Sequence, residues 1–488
     1  MYEVRRRAAL SEARQTAARQ VVNGDEERYS NRIANYTKGL PHSAQGEVDT
    51  ESYDALLRAL TSGKNADFDR IPIGGAAKLA NPQAAFAFDL EGPDARQLAI
   101  AVPPRFDSAQ QAAEMVELYW HAITRDIPFA DYGTNELTKA ASGDLTRCQG
   151  FGGPSASGYV GPQTLFRGFT AGDLEGPYIS QFLVHDVPYG AIPLVQRIRT
   201  TPAGDDYGVR EEEWLAIQRG LGRSSPRFAR TPRYIANGRD LAMYVRNDPL
   251  YQAFLNAALI LLKMGVPFDN ADPYRFSRNQ SGFVTFGPAA IVDLVARVAN
   301  CALKAAWYQK WLVHRRLRPE EFAGCVHRRL TTNREYPIAE SLLRSKVLER
   351  LYARTGTYLL PLAYPEGCPL HPSYPAGHAV VAGACATVLK AVFDENFIIS
   401  QPFAAARDGS VRTPIEIPLT IRGELDKLAS NIAVGRNIAG LHWRSDYCEG
   451  LRLGEAVAIG IMRDMKECLH ERISGYSLTT FDGARLTI

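Results

Sequence analysis

Three separated segments of the chain carry lysine, arginine and histidine at spacings that could build a cage for an anion. "YQKWLVHRRLRPEEF" holds Lys310 and Arg318, "HPSYPAGH" holds His371, Gly377 and His378, and "NIAVGRNIAGLHWRSDY" holds Arg436, His442 and Asp446. Lys310, Arg318 and Arg436 supply three fixed positive charges, and Gly377 supplies a main-chain N–H. His378 and His442 supply a neutral base and a candidate metal or phosphorus ligand. This set suits a tetrahedral oxyanion with charge on several oxygens. It does not suit zinc, which takes three or four N, S or O ligands rather than a ring of cations.

Each segment alone also has an ordinary reading. The spacing from Lys310 to Arg318 advances a helix by about 12 Å, and Pro319 disfavours helix at Arg318, which places that residue at or just past a helix end. With Arg315 and Arg316 the segment equally reads as a solvated basic face. In the second segment Pro372 and Pro375 stiffen the backbone and Gly377 lets the main chain approach a ligand. The Gly377-His378 pair opens a run with helical apolar spacing, whose free N–H groups and dipole attract anions. The plain alternative is a capped helix start with a satisfied histidine. In the third segment Arg436 and His442 share no helix face, so a bend near Gly440 must bring them together. Asp446 is placed to fix the tautomer of His442, unless Arg444 takes it in a structural ion pair.

The elements that must position these residues are mainly helical. "SAQQAAEMVELYWHAITRD" shows three- and four-residue apolar spacing with Ser108 or Asp107 as N-cap. Further helices follow in "YQAFLNAALILLKMG", in "PAAIVDLVARVANCALKAAWYQKWLVHRRL" and in "LDKLASNIAVGRNIAGLHWRSDYCEGLRLGEAVAIGIMRDMKECL". Residues 63–110 and about 130–232 are rich in Gly, Pro and Asn and read as long loops. "RTPIEIPLTIR" is one of few strand signals. The chain divides into an N-terminal helical segment (1–62), a first helical region with long loops (63–232), a helical bundle carrying the site (233–470) and a tail (471–488), all in one continuous fold.

Composition narrows the function classes. With 45% hydrophobic and 22% charged residues over 488 positions the chain is globular, and a net charge of +3 gives no reason to expect a nucleic-acid partner. The seven cysteines form no CxxC pair, which argues against a disulfide framework or zinc ribbon without deciding whether any of them pair. "MYEVRRRAALSEARQTAARQ" lacks an apolar core, and "AFLNAALILLKMGVPF" is broken by Lys263 and Pro267. Neither a signal peptide nor a membrane span is expected, and the expected location is the cytoplasm, with export by another route left open.

Taken in order, Lys310 with Arg318-Pro319, "HPSYPAGH", and Arg436 with His442 and Asp446 resemble the active-site signature of vanadium-dependent haloperoxidases, whose superfamily includes type 2 acid phosphatases. "GKNADFDRIPIGGAAKLANPQAAFAFDLEGPD", "LFRGFTAGDLEGPYISQFL", "ANGRDLA" and "NYTKGLPH" resemble the algal, cyanobacterial and bacterial bromoperoxidase branch, so the likeness spans about Asn23 to Glu455. It implies a mainly α fold of two four-helix bundles with long loops, and a homo-oligomer of two or more subunits. It implies vanadate as cofactor, with hydrogen peroxide, a halide and a small organic acceptor as reactants. His442 would bind vanadium, with Asp446 orienting it. Lys310, Arg318, Arg436 and the Gly377 N–H would bond the oxygens, and His378 would move the proton. Lys310 would also draw charge from one peroxide oxygen so that halide attacks the other. His371 matches a histidine that bromoperoxidases carry where fungal chloroperoxidases have an aromatic residue, which favours bromide and iodide over chloride.

Two positions leave that pattern or blur it. The family usually carries Ser before Gly-His, where this chain has Ala376, and one lost hydrogen bond to a charged group costs ~1.5–3 kcal/mol. Beside Lys310 stands Gln309, where some bromoperoxidases have Arg, so halide tuning is not readable. The same cage also fits phosphate. A vanadate-free phosphatase with His442 as nucleophile, a cofactor-independent isomerase of the same fold, and a protein that only stores or senses the anion are the competing readings.

Overall fold

The computed structural model describes residues 2–221 and 225–488. Among them, ten helices have twelve residues or more: α1 (Tyr2–Arg14), α2 (Thr50–Ser62), α3 (Ala109–Thr124), α4 (Glu136–Arg147), α5 (Gln252–Met264), α6 (Pro288–Tyr308), α7 (Pro319–Thr331), α8 (Gly377–Val392), α9 (Ile421–Ile438) and α10 (Arg444–Cys468). Strands are confined to three two-stranded antiparallel ribbons. The fold is mainly α, with two four-helix groups joined by long loops.

The helix starts obey local chemistry. Ser108 accepts the Gln111 N–H to open α3, and Thr420 accepts the Gly423 N–H to open α9. The irregular region at 130–232 proves to hold more helix than its composition suggests: α4 lies there, opened by Asn135, together with the shorter Glu211–Gln218 helix. The apolar stripe of α4 is narrow, with Ala141 and Leu145 its fully buried apolar residues, so loop-like composition hides it. Residues 222–224 of that region lie outside the described residues. In "RTPIEIPLTIR" Arg412–Pro414 forms a strand against Phe403–Ala405, and Thr420 adds a single bridge to Ile398. Pro414 and Pro418 have no N–H to extend the ladder.

The site is built on the bundle of α6, α8, α9 and α10. Every residue of α8 except His378 is buried, so α8 is the helix the others surround. It meets α10 backbone to backbone. A Cβ at Gly454 would sit 2.0 Å from the Val380 carbonyl oxygen, and one at Gly383 would sit 2.2 Å from that of Leu451. This approach sets the N-terminus of α8 against the first turn of α10, where the Ala376 N–H donates to the Asp446 carbonyl at 2.9 Å. The other group is centred on α3, packed by α4 and by the short Glu340–Leu343 and Lys346–Thr355 helices. None of the seven cysteines forms a disulfide. Among the described residues no helix is long and apolar enough to cross a membrane.

Candidate active site

The three segments converge, each by its own local device. After α6 the chain makes a π-helical turn, Gln309–His314, and then a left-handed residue, Arg315 at φ 41°. The wider turn re-aims Lys310, and Arg318 emerges as the N-cap of α7 with Pro319 at its first position. Pro319 therefore opens a new helix, and Arg318 starts that helix as well as lying past the end of α6. Glu321 fixes this start. One of its oxygens accepts the Arg318 N–H at 2.6 Å, and the other accepts both the Thr37 N–H at 2.7 Å and the Lys38 N–H at 3.0 Å. The N-terminal strap "NYTKGLPH" thus braces the residue that carries the guanidinium.

In the third segment Gly440, at φ 87°, breaks the chain between α9 and α10, the bend that brings Arg436 and His442 to one place. Asp446, in the first turn of α10, accepts the His442 Nδ1–H at 2.9 Å and the Trp443 N–H at 3.1 Å through one oxygen. That bond fixes the tautomer, so the lone pair is on Nε2, where Arg318 Nη1 lies at 2.9 Å. The alternative ion pair between Arg444 and Asp446 does not form: Arg444 pairs with Glu117, and Arg316 holds the outer oxygen of Asp446 at 2.8 Å.

In the second segment the loop at 371–373 is pinned from both sides. Lys310 Nζ donates to the carbonyls of Pro372 and Ser373 at 2.7 and 2.8 Å. Arg318 donates through Nε to the His371 carbonyl at 2.9 Å and through Nη2 to His371 Nδ1 at 3.0 Å. The same His371 Nδ1 lies 3.0 Å from the Pro372 carbonyl oxygen, so the ring is held between a donor and an acceptor. Its ring lies against Trp307, with centroids 4.8 Å apart. Gly377 is the first residue of α8, so its N–H has no acceptor within the helix. Ala376 is the fully buried N-cap, without a side-chain cap. Gln309 turns away, donating to Gln20 and to the Leu98 carbonyl.

The electrostatics follow from burial. Lys310 and Arg318 are completely buried, and Arg436 is nearly so. Among the described residues none of the three forms an ion pair with a carboxylate. Their partners are carbonyl oxygens and ring nitrogens, Arg436 donating to the Val245 carbonyl at 2.6 Å. The Nε of Arg436 is buried without any partner. Burial first, and then Arg318, pushes the Lys310 ammonium well below the usual lysine range. Burial followed by Arg318, Lys310 and Arg436 pushes His442 well below the usual histidine value, and His371 shifts the same way. Such a cluster is stable when an anion completes it.

Several residues at the site had no signal in the sequence. His378 bonds Asp248 at 3.1 Å, a carboxylate that precedes Pro249 in a loop far from the three segments. Burial lowers the pKa of His378, Arg436 lowers it further, and Asp248 opposes them. Arg316, read with Arg315 as a solvated basic face, is 2% exposed and bonds Asp446, Glu114 and Gln111, while Arg315 pairs with Glu26. Only the proximity of Arg316 to Arg318 in the chain hinted at a role, and nothing marked Glu114 on α3.

Comparison with known proteins places this geometry. Residues 349–471 match the family model described as the VCPO second helical-bundle domain. The chain is 34% identical to the vanadium-dependent bromoperoxidase of Corallina pilulifera, covering 96% of this chain and 94% of that one. Identity to the vanadium-dependent bromoperoxidase of Ascophyllum nodosum is 35%, covering 90% of this chain and 83% of the relative. The homohexameric structure of the second vanadate-dependent bromoperoxidase of Ascophyllum nodosum superposes with a TM-score of 0.94 at 31% identity, over 99% of this chain and 89% of that one.

Proposed function

Since the chain belongs to the vanadium-dependent bromoperoxidase family, we propose that it oxidises bromide or iodide with hydrogen peroxide to hypohalous acid, which halogenates a small organic acceptor. One observation carries this reading: Lys310, Arg318 and Arg436, buried and among the described residues without carboxylate partners, act together on a buried histidine whose Nε2 lone pair meets Arg318. The residues fit vanadate. His442 Nε2, the ring position not taken by Asp446, would be its ligand, and a ligand there takes the place of the Arg318 N–H. Lys310, Arg318, Arg436 with its unpartnered Nε, and the Gly377 N–H would hold the oxygens. Bound vanadate supplies a Lewis acid that activates peroxide without changing its own oxidation state.

The chain's own groups do the remaining work. Asp446 keeps the proton of His442 on Nδ1. His378, whose Nε2–H is held by Asp248, takes and returns a proton at Nδ1. Lys310 polarises the oxygen it bonds, and the dry walls strengthen every one of these interactions. His371, whose carbonyl accepts from Arg318 and whose ring lies against Trp307, sets that guanidinium and the shape of the halide approach. Phosphate shares the tetrahedral geometry and would compete for the cage. Because the Ascophyllum nodosum structure is a homohexamer, the reading includes a homo-oligomer.

The deciding experiment loads the protein with orthovanadate, adds peroxide and bromide, and follows bromination of a phenolic dye. Turnover that depends on vanadate is the expected result. No turnover with vanadate, together with hydrolysis of p-nitrophenyl phosphate without it, would replace this reading by the phosphatase one.

Ala376 allows a second test. A serine hydroxyl at this N-cap could bond the bound anion or cap α8, and both positions lack that group now. Ala376→Ser is expected to tighten vanadate binding about tenfold, the equivalent of one added bond to a charged group. If the affinity is unchanged while the melting temperature rises, the hydroxyl caps the helix instead. That outcome would show that its loss does not limit vanadate binding.

A further inference from the structure

The anion-binding face of His442 is backed by a chain of alternating charges that crosses from one helical group to the other. His442 Nδ1 meets Asp446 Oδ2 at 2.9 Å, Asp446 Oδ1 meets Arg316 Nη1 at 2.8 Å, and Arg316 Nη2 meets Glu114 Oε2 at 3.2 Å. All four side chains are nearly or wholly buried. Side branches make the chain stiff. Arg316 also donates to Gln111 at 2.7 Å and to the Ser445 hydroxyl at 2.7 Å. Glu114 accepts the Ser445 N–H at 3.1 Å and the Ser445 hydroxyl at 2.9 Å. The guanidinium lies over the Trp443 ring, 5.1 Å from its centroid.

We propose that Arg316 and Glu114 are positioning residues for the anion site, holding Asp446 on His442 and away from the cationic cage. A buried carboxylate beside Lys310 and Arg318 has two places to go. It can orient the histidine, or it can turn to the cations and compete with the anion they are there to bind. Arg316 removes the second choice by taking the outer oxygen, while Trp443 N–H and His442 Nδ1–H take the inner one. Glu114 in turn fixes Arg316, so α3 of the other helical group acts on a histidine it never touches. Outer partners of this kind typically change ligand affinity ~10–100-fold when removed.

The inference rests on the vanadate reading for its affinity test, and a second readout stands apart from it. Orthovanadate affinity is measured by equilibrium dialysis on the full-length protein for wild type, Arg316→Met, Arg316→Lys and Glu114→Gln. Arg316→Met is expected to lose ~10–100-fold, with Arg316→Lys recovering part of the loss because one donor still reaches Asp446. Glu114→Gln, which keeps the shape and can still accept from Arg316, should fall between wild type and Arg316→Met. In parallel, imidazole ¹⁵N spectra without any added anion report the tautomer of His442. A single Nδ1-protonated form is expected in wild type, and loss of that preference in Arg316→Met. Unchanged tautomer and unchanged affinity in folded Arg316→Met would overturn the proposal. If Arg316→Met does not fold, the same result in Arg316→Lys and Glu114→Gln overturns it. Wild type that binds no vanadate but shows the fixed tautomer, lost on substitution, would sink the vanadate reading and leave the positioning role standing.

Discussion

Replacing His442 with alanine is expected to abolish tight orthovanadate binding and, with it, vanadate-dependent bromination. The imidazole is 1% exposed, and its Nδ1 is held by Asp446 at 2.9 Å, so no neighbouring ring can rotate into its place. His371 and His378 are committed elsewhere, to Arg318 and to Asp248. Removing a direct ligand should cost more than the ~10–100-fold typical of residues that only support one. Phosphate gives the internal control. Lys310, Arg318 and Arg436 are untouched by the substitution, so purely electrostatic anion binding should fall much less than vanadate binding. Equilibrium dialysis with both anions makes the comparison. Equal losses for the two would mean that His442 serves the cage as a whole, and full retained activity would contradict its assignment outright.

The contrast between what the sequence disclosed and what it hid has a physical basis. Lys310 was legible by its spacing from Arg318, and Arg318, Gly377, Arg436 and His442 because each sits within four residues of one that punctuates the backbone, Pro319, Pro375 or Gly440. Such residues mark helix starts, and three helix N-termini do converge here, those of α7, α8 and α10. Each end brings unsatisfied N–H groups and a partial positive charge to the same place. Asp248, Arg316 and Glu114 were not legible, because they act across the fold through single bonds that leave no local pattern. The π turn at Gln309–His314 was hidden for a related reason. Helical apolar spacing continues through it, and only the register of Lys310 against Arg318 changes. The helix α4 escaped because polar and small residues dominate it.

His378 carries the second large expected effect, and Asp248 makes it specific. As the proton-moving group, His378 should be worth ~10²–10⁴ in turnover, while vanadate binding in His378→Ala changes little because no anchor is lost. The variant leaves Asp248 buried without its partner at 3.1 Å, so His378→Gln, which can still donate to that carboxylate, serves as the folding control. Asp248→Asn then separates proton transfer from packing. In the folded protein burial and Arg436 hold the pKa of His378 below the ordinary histidine value, and Asp248 works in the opposite direction. A base that must take a proton loses competence as pH falls through its pKa, so the acid limb of the rate profile reports His378. Taking away the one influence that raises that pKa moves the limb to lower pH. A bound anion raises the pKa in wild type and variant alike, and the sign of the difference between them is unaffected. The expected result is a pH–rate profile displaced to the acid side in Asp248→Asn, with vanadate affinity near that of wild type. Profiles that superimpose would show that Asp248 holds the ring in place without tuning its proton, and that burial and the field of Arg436 and Lys310 set the titration.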